Sequence, residues 1–195
     1  WDNSVTLWDI AARQEIAILR GHTSTLHGVT FAPDGKLLAS CSQDVTTLIW
    51  DLDLHQKNAT LLGHTKSVLC VAFSPDSRTL ATGSDDASVR LWHVQRRGES
   101  DILRGHTGLV AQAKFSPDGR TLATASFDHT VKIWEITTQR EITTFEGHTR
   151  PVFSVAFSPE PRILASGSDG WGNEAPTEIK IWDLDSQREI ATLAG

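Results

Sequence analysis

Few of the usual signs of an enzyme, a membrane protein or a disulfide scaffold are present in this sequence. Only two of its 195 residues are cysteines, Cys41 and Cys70. Both sit in apolar segments at no paired-thiolate spacing, so two buried, reduced thiols are expected rather than a disulfide framework or a zinc site. No apolar run approaches the roughly 20 residues of a membrane-spanning helix, and no charged-then-apolar signal peptide opens the chain. A reducing, cytoplasmic setting without membrane contact is the resulting expectation. Positive charge is not in excess: 24 acidic and 18 basic side chains leave a formal charge of -6, scattered along the chain. That balance argues against a broad nucleic-acid footprint. Also missing are a phosphate-binding glycine loop, a metal-ligand cluster and an isolated nucleophile, so no cofactor is expected. Methionine is absent and the chain opens on Trp1 inside a patterned segment, which reads as part of a longer product.

What the sequence does have is a period. Gly-His-Thr recurs at Gly21, Gly63, Gly105 and Gly147, in steps of 42. Tryptophan follows in phase at Trp8, Trp50, Trp92 and Trp134, and Trp182 arrives 48 residues later, so the last unit carries six extra residues. A fixed period of this size decides the architecture before any local reading does.

Each unit reads as four short strands. Leu26 to Ala32, Val68 to Ser74, Val110 to Ser116 and Val152 to Ser158 are apolar or small, as buried inner strands would be. Turns of the Pro33-Asp34-Gly35 kind follow, varied to Pro159-Glu160-Pro161 in the last unit. Second strands are expected over Leu37 to Ser42, Thr79 to Ser84, Thr121 to Ser126 and Ile163 to Ser168. A third strand alternates up to each tryptophan, and a fourth precedes the next glycine, as in Glu141 to Phe145. No stretch carries a helical period. The fold class is therefore all-β, in small sheets that must stack on one another to be stable.

The Gly-His pair, the turn aspartate and the closing Trp-Asp, varied to Trp92-His93 and Trp134-Glu135, resemble the WD-repeat family over essentially the whole chain. That resemblance implies β-propeller blades of four antiparallel strands in a parent ring of seven. Residues 1–20 would be the outer strands of one blade, and 21–62, 63–104, 105–146 and 147–195 four further blades. Seven units of 42 need roughly 290 residues. The missing blades would then come from the rest of a parent chain or from self-association.

Three sets of side chains recur at fixed offsets: His22, Ser40, Asp44, Trp50; His64, Thr82, Asp86, Trp92; and His106, Thr124, Asp128, Trp134. A hydroxyl, a histidine and an aspartate suggest a hydrolase triad. Recurrence in every unit, with threonine at half of the hydroxyl positions, points instead to a structural chain of hydrogen bonds from carboxylate to indole. The resemblance implies the same arrangement. The fourth set holds His148, Ser166 and Trp182, but Pro176 stands where the aspartate belongs. Asp169 is one candidate to replace it, and a blade lacking its full network is the alternative. The extra segment Asp169 to Thr177 would form a loop at the aspartate end, with Trp171 as a candidate partner contact.

In the family the usual contact surface is the end carrying the Gly-His and Asp loops. Positions expected to look out there vary between units: Gln43, Asp85 and Phe127 before the turn aspartates, with Trp1 in the equivalent place; His27, Leu69, Ala111 and Phe153 near the inner-strand starts; and Thr25, Ser67, Leu109 and Pro151 just ahead of them. Phe127 and Phe153 belong to consecutive blades and would either grip an arginine by cation-π contact, or else cover the channel mouth or pack on neighbouring loops. The leading reading is a non-catalytic scaffold that binds proteins or peptides. The alternative is the regulatory or sensor propeller of a larger signalling protein whose enzymatic domain lies outside this segment. A channel enzyme and a nucleic-acid binder find no support in the residues.

Overall fold

Short apolar runs interrupted by Pro, Asp and Gly turns leave antiparallel ladders as the natural way to satisfy the backbone. The computed structural model describes residues 2–96, 98–169 and 177–194. It contains one two-stranded sheet, β1 (Ser4–Asp9) and β2 (Gln14–Arg20), and four sheets of four strands. Blade 1 is β3 (Leu26–Phe31), β4 (Leu37–Ser42), β5 (Thr47–Asp51) and β6 (Gln56–Leu61). Blade 2 is β7 (Val68–Phe73), β8 (Thr79–Ser84), β9 (Val89–His93) and β10 (Ser100–Leu103). Blade 3 is β11 (Val110–Phe115), β12 (Thr121–Ser126), β13 (Val131–Glu135) and β14 (Arg140–Phe145). Blade 4 is β15 (Val152–Phe157), β16 (Ile163–Ser168), β17 (Glu178–Asp183) and β18 (Arg188–Ala194). Every sheet runs in simple up-and-down order, and each inner strand lies against the next.

The core is the space between blades. Leu61 of blade 1 packs with Leu80 and Trp92 of blade 2, and Leu103 of blade 2 packs with Leu122 and Trp134 of blade 3. Phe145 of blade 3 stacks on Trp182 of blade 4, with ring centroids 4.7 Å apart. Blades 1, 2 and 3 thus each give their fourth-strand apolar residue to the following blade's tryptophan. Trp50, Trp92, Trp134 and Trp182 are almost fully buried, whereas Trp8, in the first described sheet, is 61% exposed.

The expectation that every inner strand is buried fails at β3. Val29 and Phe31 are more than half exposed, while Val71, Phe73, Val155 and Phe157 in the same repeat positions are covered or partly covered. β1 and β2 cover Leu38, Leu48 and Trp50 through Leu7 and Leu19, and among the described residues no inner strand of that sheet lies on β3. At the other end of the row Ile179 and Leu193 are exposed, although their counterparts Val131 and Phe145 are buried.

Glycine is favoured where the chain enters the blades: a Cβ on Gly21 would lie 3.1 Å from the Trp50 ring and one on Gly105 would lie 3.1 Å from the Trp134 ring, both rings being buried and hydrogen-bonded. In the Pro-Asp-X turns the third residue is left-handed, as at Gly35 (φ 73°) and Gly119 (φ 71°), which suits glycine, while Ser77 (φ 61°) takes the same conformation without that freedom.

Candidate binding face

The Gly-His loop leads into the inner strand, and the Asp turn joins the second strand to the third, so both reach the same end of the blade. In blade 2 the link between them is a continuous chain. Trp92 Nε1–H donates to Thr82 Oγ1 at 2.9 Å, the Thr82 hydroxyl donates to His64 Nε2 at 2.8 Å, and His64 Nδ1–H donates to Asp86 Oδ2 at 3.0 Å. A carboxylate only accepts, so the imidazole must carry its proton on Nδ1, which leaves Nε2 free to accept the hydroxyl. Blade 1 repeats the chain through Trp50, Ser40, His22 and Asp44 at 2.8, 2.8 and 2.9 Å. Blade 3 does so through Trp134, Thr124, His106 and Asp128 at 2.8, 2.8 and 2.7 Å.

This is the connectivity of a hydrolase triad, yet Ser40, Thr82 and Thr124 are wholly inaccessible and each accepts an indole proton. No substrate carbonyl reaches such an oxygen. The carboxylate instead fastens loops. Asp86 Oδ2 also accepts the Thr65 amide at 2.9 Å, and Oδ1 accepts the Ser88 amide at 2.9 Å and the Ser88 hydroxyl. Burial pushes the Asp86 carboxyl upward, but the hydrogen bonds from Ser88, Thr65 and His64 outweigh it and hold the group well below the usual carboxylate range. The same opposition brings Asp44 down to about 2. Burial lowers His64, with Asp86 pulling the other way, so the neutral ring is the favoured form.

Two recurring hydroxyls belong to this arrangement and escaped the sequence reading. Thr46, Ser88 and Thr130, four residues before each tryptophan, bridge the aspartate and the histidine. Ser42, Ser84 and Ser126, at the end of each second strand, donate to loop carbonyls at Ser24, Lys66 and Gly108. Both were visible as hydroxyls in step with the 42-residue period.

Blade 4 departs from the others. Trp182 Nε1–H donates to Ser166 at 2.8 Å, and His148 Nε2 meets Ser166 at 2.6 Å. His148 Nδ1, however, faces Glu178 Oε2 at 3.6 Å, beyond a good hydrogen bond. Glu178 occupies the place of Thr130, so Glu178, and not Asp169, is the carboxylate beside this histidine. His148 Nδ1, Glu178 Oε2 and Ser168 Oγ are all buried without a hydrogen-bond partner. Burial and the nearby Lys180 ammonium lower His148, while Glu178 raises it less. The loop tip with Trp171 and Pro176, and Trp1 at the start, lie outside the described residues.

The variable positions sit on this fastened frame. Gln43, Asp85 and Phe127 donate their amides to the carbonyls of Thr25, Ser67 and Leu109 at 2.9, 3.0 and 3.0 Å, and the Asp169 amide reaches Pro151 at 3.3 Å. His27, Leu69, Ala111 and Phe153 are bulge residues: the pairing skips them between Leu26 and Gly28, Val68 and Cys70, Val110 and Gln112, and Val152 and Ser154. A bulge re-aims its side chain and locks a local twist. The eleven described positions therefore belong to one end, with side chains that differ and backbones that do not. Phe127 and Phe153 touch each other edge to face with centroids 4.6 Å apart, so their rings cannot hold a guanidinium between them. The two rings pack on each other and not around a guanidinium.

Among the described residues no three His, Cys, Asp or Glu side chains converge as a metal site, and no helix is long and apolar enough to cross a membrane. Cys41 and Cys70 are free and buried, and burial pushes the Cys70 thiol up to about 12.

The chain is 48% identical over 42 residues to apoptotic protease-activating factor 1 of Mus musculus and of Rattus norvegicus. It is 40% identical over 45 residues to the CCR4-associated factor 4 homolog of Candida glabrata. These stretches cover 22% and 23% of the chain but only 3% and 8% of the relatives' own lengths, so each likeness amounts to about one repeat unit. The model of the WD domain, G-beta repeat, matches four times, over residues 13–51, 55–93, 99–135 and 139–171. Domains of this kind are generally non-catalytic scaffolds. With four in-phase matches across most of its length and four blades built alike, this chain belongs to the WD-repeat family.

Proposed function

We propose that the chain is a non-catalytic segment of a seven-bladed propeller, and that it binds protein or peptide partners through the loop face carrying Thr25, His27, Gln43, Ser67, Leu69, Asp85, Leu109, Ala111, Phe127, Pro151 and Phe153. The observation that carries this reading is the paired backbone bonding of the rim, from Gln43 to Thr25 through Phe127 to Leu109. It fixes the backbone while the side chains change from blade to blade. A rigid frame with free side chains binds without a large ordering cost. The buried thiols Cys41 and Cys70 fit a reducing, cytoplasmic compartment.

A second reading, that the propeller regulates a larger signalling protein, draws on the likeness to apoptotic protease-activating factor 1. That likeness is one repeat long and so weighs little beyond family membership. In both readings the remaining blades come from further residues of a parent chain or from further copies.

Photocrosslinking tests the loop face. Benzoylphenylalanine placed at Leu69 or Phe127 of the whole encoded protein should capture a partner protein on irradiation in cells, and the same group at exposed Arg140 on the outer strand should not. Equal capture at all three positions, or none at Leu69 and Phe127, would refute the assignment.

A further inference from the structure

At the end opposite the loop face, the inner strands and their Pro-Asp turns enclose a concavity of about 580 Å³. Every full blade contributes the same repeat position to its wall: Thr30, Ala72, Lys114 and Ala156. Around them stand Phe73, Phe115, Phe157 and the turn prolines. Three of the four equivalent residues are small and leave room. The fourth is an exposed lysine set among aromatic rings, where its neighbours show that alanine meets the needs of packing.

The charge here is unanswered. Among the described residues Lys114 has no carboxylate within 4 Å, and neither do Lys36 and Arg78, which follow the first two of these turns. The carboxylates closest in sequence are occupied: Asp34, Asp76 and Asp118 cap their own turns through the amides of Lys36, Arg78 and Arg120. Beside Lys114 the wall is also braced across blades, because Gln112 Oε1 accepts the Val155 amide at 2.7 Å. An apolar basin with one cation in its lining selects a ligand that is mostly apolar and carries one negative charge.

We propose that this mouth is a second binding site, for an extended peptide segment of a partner protein in which one Asp or Glu lies among aliphatic or aromatic residues. The carboxylate pairs with Lys114, and the apolar neighbours lie against Phe73, Phe115 and Phe157. The site is independent of the loop face and survives if that assignment fails.

The test is a displayed library of random dodecapeptides selected on the whole encoded protein and counter-selected on its Lys114→Glu variant. The selected peptides are then synthesised and titrated by fluorescence anisotropy. The expected result is a consensus of one acidic residue flanked by apolar ones, with Kd weakened about tenfold or more by Lys114→Met. Exchanging the acidic residue for its amide should cost the same, and a Lys-bearing peptide should recover binding on Lys114→Glu. Arg140→Ala, exposed on the outer strand of blade 3, should leave Kd within about twofold. Absence of enrichment, a consensus without an acid, or a Kd unmoved by Lys114→Met overturns the proposal. So does Lys114-dependent binding of phosphatidylserine vesicles or oligonucleotides by a protein that selects no peptide.

Discussion

Blades 2 and 4 have the same strand plan and the same buried Trp, hydroxyl and His, yet they end differently. In blade 2 the chain finishes on Asp86, which gathers His64, Thr65 and Ser88, and Ser84 holds the Lys66 carbonyl. In blade 4 it finishes on Glu178 at 3.6 Å, and Ser168 is left without a partner. The contrast separates two jobs that sequence alone runs together. The Trp, hydroxyl and His links seat the indole between blades. The Asp and its flanking hydroxyls fasten the loops to the sheet, and a blade can have the first without the second.

The largest effect that would sharpen this comparison comes from the shared part. Trp92→Ala empties the contact with Leu61 and Leu80, and should cost about 3–5 kcal/mol in denaturant melts. Next comes the part that differs. Asp86→Ala leaves a buried imidazole and the Thr65 amide unpaired and should cost about 1–3 kcal/mol, whereas Glu178→Ala, which breaks no hydrogen bond, should cost less than about 1. Equal losses would erase the distinction between the blades.

pH probes the same groups. Asp44 and Asp86 titrate below the ordinary carboxylate value of about 4, so their stabilisation is complete above that pH and is lost as pH falls toward the folded values, about 2 for Asp44. His64 and His148 are also depressed. Below about pH 6.5 the unfolded chain therefore takes up protons that the folded one resists, and stability falls there too. Melts should show both declines, and His148→Gln should flatten the upper one; an unchanged slope would deny the buried neutral ring. The smallest effect lies in the Asp turn. Ala87 is held left-handed at φ 64°, as are Val45 and His129 at 71°, so Ala87→Gly should raise stability by less than about 1 kcal/mol.

Much of this was legible beforehand because the period carries it. The second strands end where the Leu37 to Ser42 and Thr121 to Ser126 patterns place them, and the three complete networks follow from the fixed offsets. Two features were not legible, for physical reasons. The exposure of Val29 and Phe31 depends on which neighbouring strands exist, and a local apolar pattern does not encode that. The role of Glu178 depends on how the third strand of blade 4 registers after an insertion, with Lys180 opposite Ser166 just as Lys132 is opposite Thr124. Counting back from Trp182 to the aspartate position finds only Pro176, whereas counting to the hydroxyl position finds a carboxylate.

The central claim is that each hydroxyl, His and Asp set fastens its own blade and does no chemistry. Hydrogen exchange of the indole N–H groups in the whole encoded protein, before and after Asp86→Ala, tests it most directly. The Trp92 indole should exchange about tenfold to a hundredfold faster in the variant, while Trp50 and Trp134 keep their rates. An unchanged Trp92 rate, or equal acceleration of all three, would contradict it.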